Sequence, residues 1–284
     1  MWLPSVLSIA GSDSSGGAGI QADLKTALAN GVFGMSAVTA LTAQNTMGVT
    51  GIHEIPPEFL AEEIDAVFAD IRPDAVKVGM VASTELIRTI ADRLTFHDAK
   101  HIVVDPVIVA TSGSRLLAED AADALATKLF PLAEVITPNL PELFVLDQLT
   151  GGSPENVEDY NTLDACVEAA KRVLKQFGAP VLAKGGHAIG GSRADDVLVT
   201  REGVEVFPGE RVATNNTHGT GCTLSTAIAS NLAKGISLKK AVERAKAYVT
   251  GALAAGLDMG GGSGPLHHGF AIESEFIGAG GNDA

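Results

Sequence analysis

The run Thr217-His-Gly-Thr-Gly-Cys222 leads without a break into the apolar stretch Thr-Leu-Ser-Thr-Ala-Ile-Ala-Ser-Asn-Leu-Ala, which predicts a glycine turn at the start of a helix. The first N–H groups of a helix have no partner inside it, and its dipole makes that end positive, so an anion is favoured there. Gly219, Thr220 and Gly221 are small enough to let an anion reach the backbone, which suits phosphate handling. The same glycines also suit a tight turn into a buried helix, and the turn alone leaves both readings open.

Other loops carry groups that phosphate chemistry would use. Thr137-Pro-Asn-Leu-Pro-Glu142 places Asn139 and Glu142 on a strand-to-helix turn, and Asp105-Pro106 ends another strand. Two carboxylates at neighbouring strand ends can hold Mg²⁺ together with waters and nucleotide oxygens. Taken singly, Asp105 also reads as a turn carboxylate and Glu142 as a first-turn helix charge. Lys184, between Val181-Leu-Ala and Gly185-Gly186-His187, is a cation at a further strand end; it reads as a solvated lysine or as a partner for polyphosphate. The loop Gly11-Ser-Asp-Ser-Ser-Gly-Gly-Ala-Gly19 is not a Walker A loop, because Gly17 and Ala18 stand where Lys and Ser or Thr would be required. It matches the dinucleotide glycine pattern, but the ribose-binding carboxylate expected about 20 residues later is missing. What remains is a loop whose backbone can approach a ligand closely.

These loops need a sheet to position them. Short β-branched runs predict strands over 6–10, 36–42, 75–78, 101–104, 135–136 and 180–183, separated by helical patterns such as Leu60, Ile64, Val67, Phe68 and Ile71, and Leu86, Ile90 and Leu94. That alternation predicts an α/β fold with a mostly parallel central sheet and helices on both faces. In such sheets ligands sit beyond the carboxyl ends of the strands, where all of these loops fall. From Asp195 the pattern becomes two strands around Arg201-Glu-Gly203, a β-hairpin placed at one edge. Helices follow over 220–233 and 238–253, with Gly235 between them. The linker-like stretch 150–160 is flanked by segments of the same style, so we expect one domain over 1–256 and a glycine-rich C-terminal tail over 257–284, mobile or locally ordered, in which His267 and His268 either close over a ligand or, as is commoner for such pairs, are solvated.

Composition excludes several roles. With 34 acidic against 20 basic residues the net charge is −14, and there is no basic run, so the field repels nucleic acid and anionic membrane. Apolar segments fall short of a membrane span and no leader pattern begins the chain, which points to a cytoplasmic protein. Two cysteines exclude a disulfide framework; Cys166 lies on the apolar face of a helix with Val173 and Phe177 and reads as core.

Taken as a set, Ala10-Gly-Ser-Asp-Ser-Ser-Gly-Gly-Ala-Gly19-Ile-Gln-Ala-Asp23, Ala40-Leu-Thr-Ala-Gln44-Asn-Thr, Val78-Gly-Met80, Val104-Asp-Pro-Val107, Thr137-Pro-Asn, Lys184-Gly-Gly-His and His218-Gly-Thr-Gly-Cys222 closely resemble the hydroxymethylpyrimidine and phosphomethylpyrimidine kinases of thiamine biosynthesis, in the ribokinase-like superfamily. The resemblance runs from about Val6 to Leu253. It implies ATP-dependent phosphorylation of 4-amino-5-hydroxymethyl-2-methylpyrimidine and then of its monophosphate. It also implies that Gln44, with Asp23 nearby, meets the pyrimidine edge while Gly11, Met80 and Val107 line the pocket. Asn139, Lys184 and Thr217 would then meet the nucleotide, Asp105 and Glu142 would surround Mg²⁺, and Gly219, Thr220, Gly221 and Cys222 would face the transferring phosphoryl group. A homodimer is a further expectation from the family.

Many sugar kinases of this superfamily carry Asp, the base for the hydroxyl proton, where this chain has Cys222. A cysteine at a helix N-terminus can have a lowered pKa, so one expectation is a thiolate base; the other is that Cys222 only shapes the anion hole. Pyridoxal kinase is the neighbouring activity to be separated, since pyridoxal is also a flat nitrogen heteroaromatic with a hydroxymethyl arm. A non-catalytic pyrimidine sensor is disfavoured because the lysine, both carboxylates and the full glycine turn are present.

Overall fold

The computed structural model describes residues 2–108, 121–185 and 193–273. Among the described residues, nine strands form one sheet in the order β3-β2-β1-β4-β5-β6-β7-β8-β9. Strands β1 (Ser5–Asp13), β2 (Phe33–Asn45), β4 (Ala75–Val78), β5 (Ile102–Val104), β6 (Val135–Ile136) and β7 (Val181–Ala183) run parallel. β3 (Gly48–Glu54) returns antiparallel along β2 at one edge, and β8 (Asp196–Val199) with β9 (Val204–Phe207) makes the anticipated hairpin at the other. β3 was not expected: glycines at 48 and 51 and its mostly exposed side chains remove the alternation that marks a half-buried strand.

Period-2 alternation divides each central strand between two cores. Leu7 and Ile9 of β1, Val76 and Val78 of β4 and Val104 of β5 pack against Leu60 and Ile64 of α2 (Pro57–Asp70), Leu86 and Ile90 of α3 (Thr84–Phe96), Leu143 of α5 (Leu140–Leu149) and Val173 of α6 (Leu163–Phe177). Val6, Ala75, Val103 and Val135 point the other way, against Ile228 of α7 (Thr220–Ala233) and Val242 of α8 (Leu238–Ala254). α1 (Gly19–Ala29) follows β1, and α4 (Ala121–Ala124) continues as a wide helical turn into Phe130 before β6. Ile71, assigned to the α2 face from its spacing, is instead the exposed residue that ends the helix. Cys166 is buried on α6 as expected, its thiol on the Tyr160 carbonyl oxygen at 3.1 Å.

β6 and β7 are neighbours in the sheet, although the stretch 150–160 lies between them in sequence. Residues 257–273 do not stand off as a tail: Leu266 is in the second core, and the His218 amide donates to the Gly264 carbonyl at 3.0 Å. Residues 274–284 lie outside the described residues.

Candidate active site

Loops at the carboxyl ends of β1, β5 and β7 meet the first turn of α7. Gly219 caps that helix in the left-handed region, φ 86°, and a Cβ on it would lie 2.0 Å from the carbonyl oxygen of Gly17 in the first glycine loop. Only glycine fits there. The Thr220 amide and hydroxyl both bind the Thr217 carbonyl, at 3.2 and 2.7 Å, which closes the turn. The first intrahelical bond is Thr223 N to Gly219 O, 2.9 Å, so the amides of Gly221 and Cys222 have no partner within the helix. Beside them, a Cβ on Gly221 would lie 3.2 Å from Asp105 Oδ2 and 3.4 Å from Lys184 Nζ. The anion-favouring turn, a lysine and a carboxylate thus converge from three separate loops.

Lys184 Nζ bonds Asp105 Oδ1 at 3.0 Å and lies 3.9 Å from Glu142 Oε2, with all three side chains largely buried. The adjacent carboxylates hold Lys184 firmly protonated against the cost of its burial. Thr137 Oγ1 supports Asp105 at 3.2 Å. Asn139 and Glu142 form a reciprocal cap at the start of α5: Asn139 Oδ1 accepts from the Glu142 amide at 2.9 Å, and Glu142 Oε2 accepts from the Asn139 amide at 2.8 Å. Burial pushes the Glu142 carboxyl up to about 7 and nearby Asp105 adds to the effect, which outweighs the opposing pull of Lys184. Among the described residues no group of three or more His, Cys, Asp or Glu side chains could hold a metal. Two carboxylates, one of them short of positive charge, fit a Mg²⁺ that takes its remaining ligands from water and phosphate.

Cys222 differs from the thiolate expectation. Burial pushes its thiol up to about 11, and neither the Lys77 charge nor the Gly19 amide at the sulfur compensates. At neutral pH the side chain is a thiol, because the helix terminus is outweighed by the loss of solvent.

On the pocket side, a Cβ on Gly11 would lie 3.2 Å from Met80 Sδ, so these two residues are in contact across β1 and β4. Val107 is half-buried just beyond β5, its amide on the Asp105 carbonyl at 2.8 Å. Gln44 at the end of β2 touches Thr42 Oγ1 at 3.0 Å and His218 Nε2 at 3.4 Å. Asp23 requires correction as a substrate contact. Its carboxylate is fully buried between Lys77 Nζ (2.8 Å), Ser8 Oγ (2.5 Å) and Thr226 Oγ1 (2.7 Å), which turns it to the interior rather than to a ligand.

Sequence reasoning assigned no role to Asp13, to its partner His218 or to Lys77. Asp13 accepts from the amides of Ser15, Gly17 and Ala18 and pairs with His218 Nε2 at 2.8 Å, tying the first glycine loop to the α7 turn. These bonds hold its carboxyl well below the usual range despite burial. Lys77 is wholly buried in a strand, where a charge has no periodicity signal; its one sequence cue is a lysine amid Ala75, Val76 and Val78. Gly186 and His187, named with Lys184, lie outside the described residues.

Comparison with known proteins decides the family. The phosphomethylpyrimidine kinase family model matches residues 13–267. The chain belongs to the phosphomethylpyrimidine kinase family. It is 47% identical over 266 residues to the hydroxymethylpyrimidine/phosphomethylpyrimidine kinase of Rhizobium meliloti, covering 92% of this chain and 96% of that protein. It is also 47% identical over 269 residues, 95% of its own length, to a thiamine biosynthesis bifunctional protein of Geobacter sulfurreducens, of whose length it spans 53%. Among solved structures, the ADP complex of Bacillus subtilis pyridoxal kinase is similar at a TM-score of 0.83 and 36% identity, covering 94% of this chain and 98% of the other. As a phosphomethylpyrimidine kinase family member with this sheet order, the chain has a ribokinase-like α/β fold.

Proposed function

We infer that the protein is an ATP-dependent kinase that phosphorylates 4-amino-5-hydroxymethyl-2-methylpyrimidine and then its monophosphate to the diphosphate. The observation that carries this reading is the placement of Gly221 against both Asp105 and Lys184, which sets anion-binding amides beside a cation and a carboxylate. Phosphoryl transfer asks for positioning and charge stabilisation more than for covalent chemistry. The Gly221 and Cys222 amides receive charge on the transferring group, and Lys184 turns from Asp105 toward the polyphosphate. Asp105 and Glu142 would hold Mg²⁺, which supplies further neutralisation of the phosphates. Asn139 and Thr217 border the nucleotide side. With its thiol pushed up to about 11, Cys222 shapes the anion hole, and the hydroxyl proton leaves late in a loose transition state.

Gln44 would read the pyrimidine edge, since its amide offers both a donor and an acceptor, with Gly11, Met80 and Val107 around the ring. We place the activity in one domain, active as a homodimer in the cytoplasm; no described helix is long and apolar enough to cross a membrane. Pyridoxal is the second reading, motivated by the similarity to the Bacillus pyridoxal kinase. Turnover measured side by side with the pyrimidine and pyridoxal in Mg²⁺ and ATP tests the substrate. A preference for pyridoxal above about tenfold, roughly 1.4 kcal/mol of transition-state binding, would overturn the assignment.

A further inference from the structure

The segment 264–270 crosses behind the first turn of α7 and is held at several points. The His218 amide donates to Gly264 O at 3.0 Å, Leu266 is core, the His267 amide donates to Ala252 O at 3.3 Å, and Tyr248 Oη donates to His268 O at 2.7 Å. A Cβ on Gly251 would lie 2.4 Å from the Phe270 ring, so the segment lies close on α8. His268 is buried in this strap, and its Nε2 lies 3.0 Å from Thr223 Oγ1. That hydroxyl also lies 2.8 Å from Gly219 O, the carbonyl at the cap of the catalytic turn.

The hydrogens can be assigned from chemistry. A hydroxyl has one proton, and Gly219 O can only accept, so Thr223 donates there. With that donation made, Thr223 Oγ1 accepts from His268 Nε2, the tautomer on which the proposal rests. Burial supports the neutral form, pushing the His268 pKa down to about 4. The charged and titratable groups acting on this imidazole are Lys25 and His267, both of which disfavour a second proton.

We propose that His268 is a positioning residue for phosphoryl transfer: through Thr223 it holds the Gly219 carbonyl, and with it the orientation of the Gly221 and Cys222 amides. Gly219 needs such support because its left-handed backbone and the adjoining unpaired amides have little intrahelical bonding to hold them. A small displacement of amides that must meet a transition-state oxygen lowers turnover steeply. The segment assigned by its composition to a tail is, on this view, the back support of the anion hole.

The inference rests on the kinase reading for its activity readout, so the test includes one that does not. In the full chain, His268→Gln keeps a donor near the Nε2 position, whereas His268→Leu removes it while filling the space. The Leu variant is expected to lose about tenfold in kcat with the pyrimidine KM within about twofold, and the Gln variant to recover most of that loss. Hydrogen exchange at the Thr223 amide, which bonds Gly219 O, should accelerate in the Leu variant and much less in the Gln variant. Equal effects of Leu and Gln, a change in KM alone, or unaltered amide exchange in a folded Leu variant would overturn the proposal. If the Leu variant fails to fold, Thr223→Val against Thr223→Ser asks the same question, and equal kcat and amide exchange in that pair would overturn it. Loss of amide protection in the Leu variant of a chain with no kinase activity would support the clasp and refute the activity.

Discussion

Replacing Lys77 with methionine removes a cation whose side chain, like that of Asp23, has no solvent exposure. Methionine fills nearly the same volume, so the main effect is a buried carboxylate left without its counter-ion. Breaking such a pair by removing one partner costs about 3–5 kcal/mol. Asp23 keeps Ser8 at 2.5 Å and Thr226 at 2.7 Å, which places the expected loss near the lower end, about 3 kcal/mol. For 284 residues at about 2.1 cal/mol/K each, the unfolding entropy is about 0.6 kcal/mol/K, so Tm should fall by about 5 °C. Differential scanning calorimetry measures this directly. The double variant Lys77→Met/Asp23→Leu carries no stranded charge and should recover part of the loss. A Lys77→Met protein that melts within about 1 °C of wild type, or a strictly additive double variant, would refute the reasoning.

Gly219→Ala meets both a left-handed φ and the Gly17 carbonyl at 2.0 Å, so it should lower kcat by at least about a hundredfold in an ATP-coupled assay. Cys222→Ser should keep turnover within about tenfold of wild type, and Cys222 should alkylate slowly at pH 7, as a thiol with a pKa of about 11 would. The Glu142 carboxyl, raised from 4.5 to about 7, binds more protons folded than unfolded, so its contribution to stability falls as pH rises through that window. Bound Mg²⁺-nucleotide should release the proton, which calorimetry near pH 6.5 in two buffers of different ionisation heat detects and Glu142→Gln should abolish. For His268 the sign is opposite: its pKa drops from 6.5 to about 4, so stability is lost as pH falls through that range. The His268→Gln protein should accordingly show a shallower decline in Tm between pH 6.5 and 4.

The parallel strands were legible because Val and Ile runs are continuous where both faces are covered, and the hairpin of β8 and β9 because Arg201-Glu-Gly203 separates two alternating runs. β3 was not, since an edge strand with glycines buries too little to leave a pattern. The loops that carry Asp105, Asn139, Glu142 and Lys184 could be found one by one, yet only the sheet order brings the Asp105 and Lys184 strand ends to Gly221. Asp23 shows the converse error: a residue within a site motif can serve from below, through Lys77 and Thr226, without facing the ligand. His268 was read as a solvated tail residue because composition around it is glycine-rich; long-range contacts with Thr223 and Tyr248, which no local pattern encodes, bury it. The choice between the two readings of Cys222 was open in the sequence for a related reason, since the helix terminus is visible there and the depth of burial that raises its pKa is not.

The most direct test of the account is a product analysis: the hydroxymethylpyrimidine, ATP and Mg²⁺ incubated with the protein, with mono- and diphosphate resolved over time. The account predicts monophosphate followed by diphosphate, with both steps lost in Lys184→Met and in Gly219→Ala. Absence of ATP consumption by the folded wild-type protein, or unchanged turnover in those two variants, would contradict it.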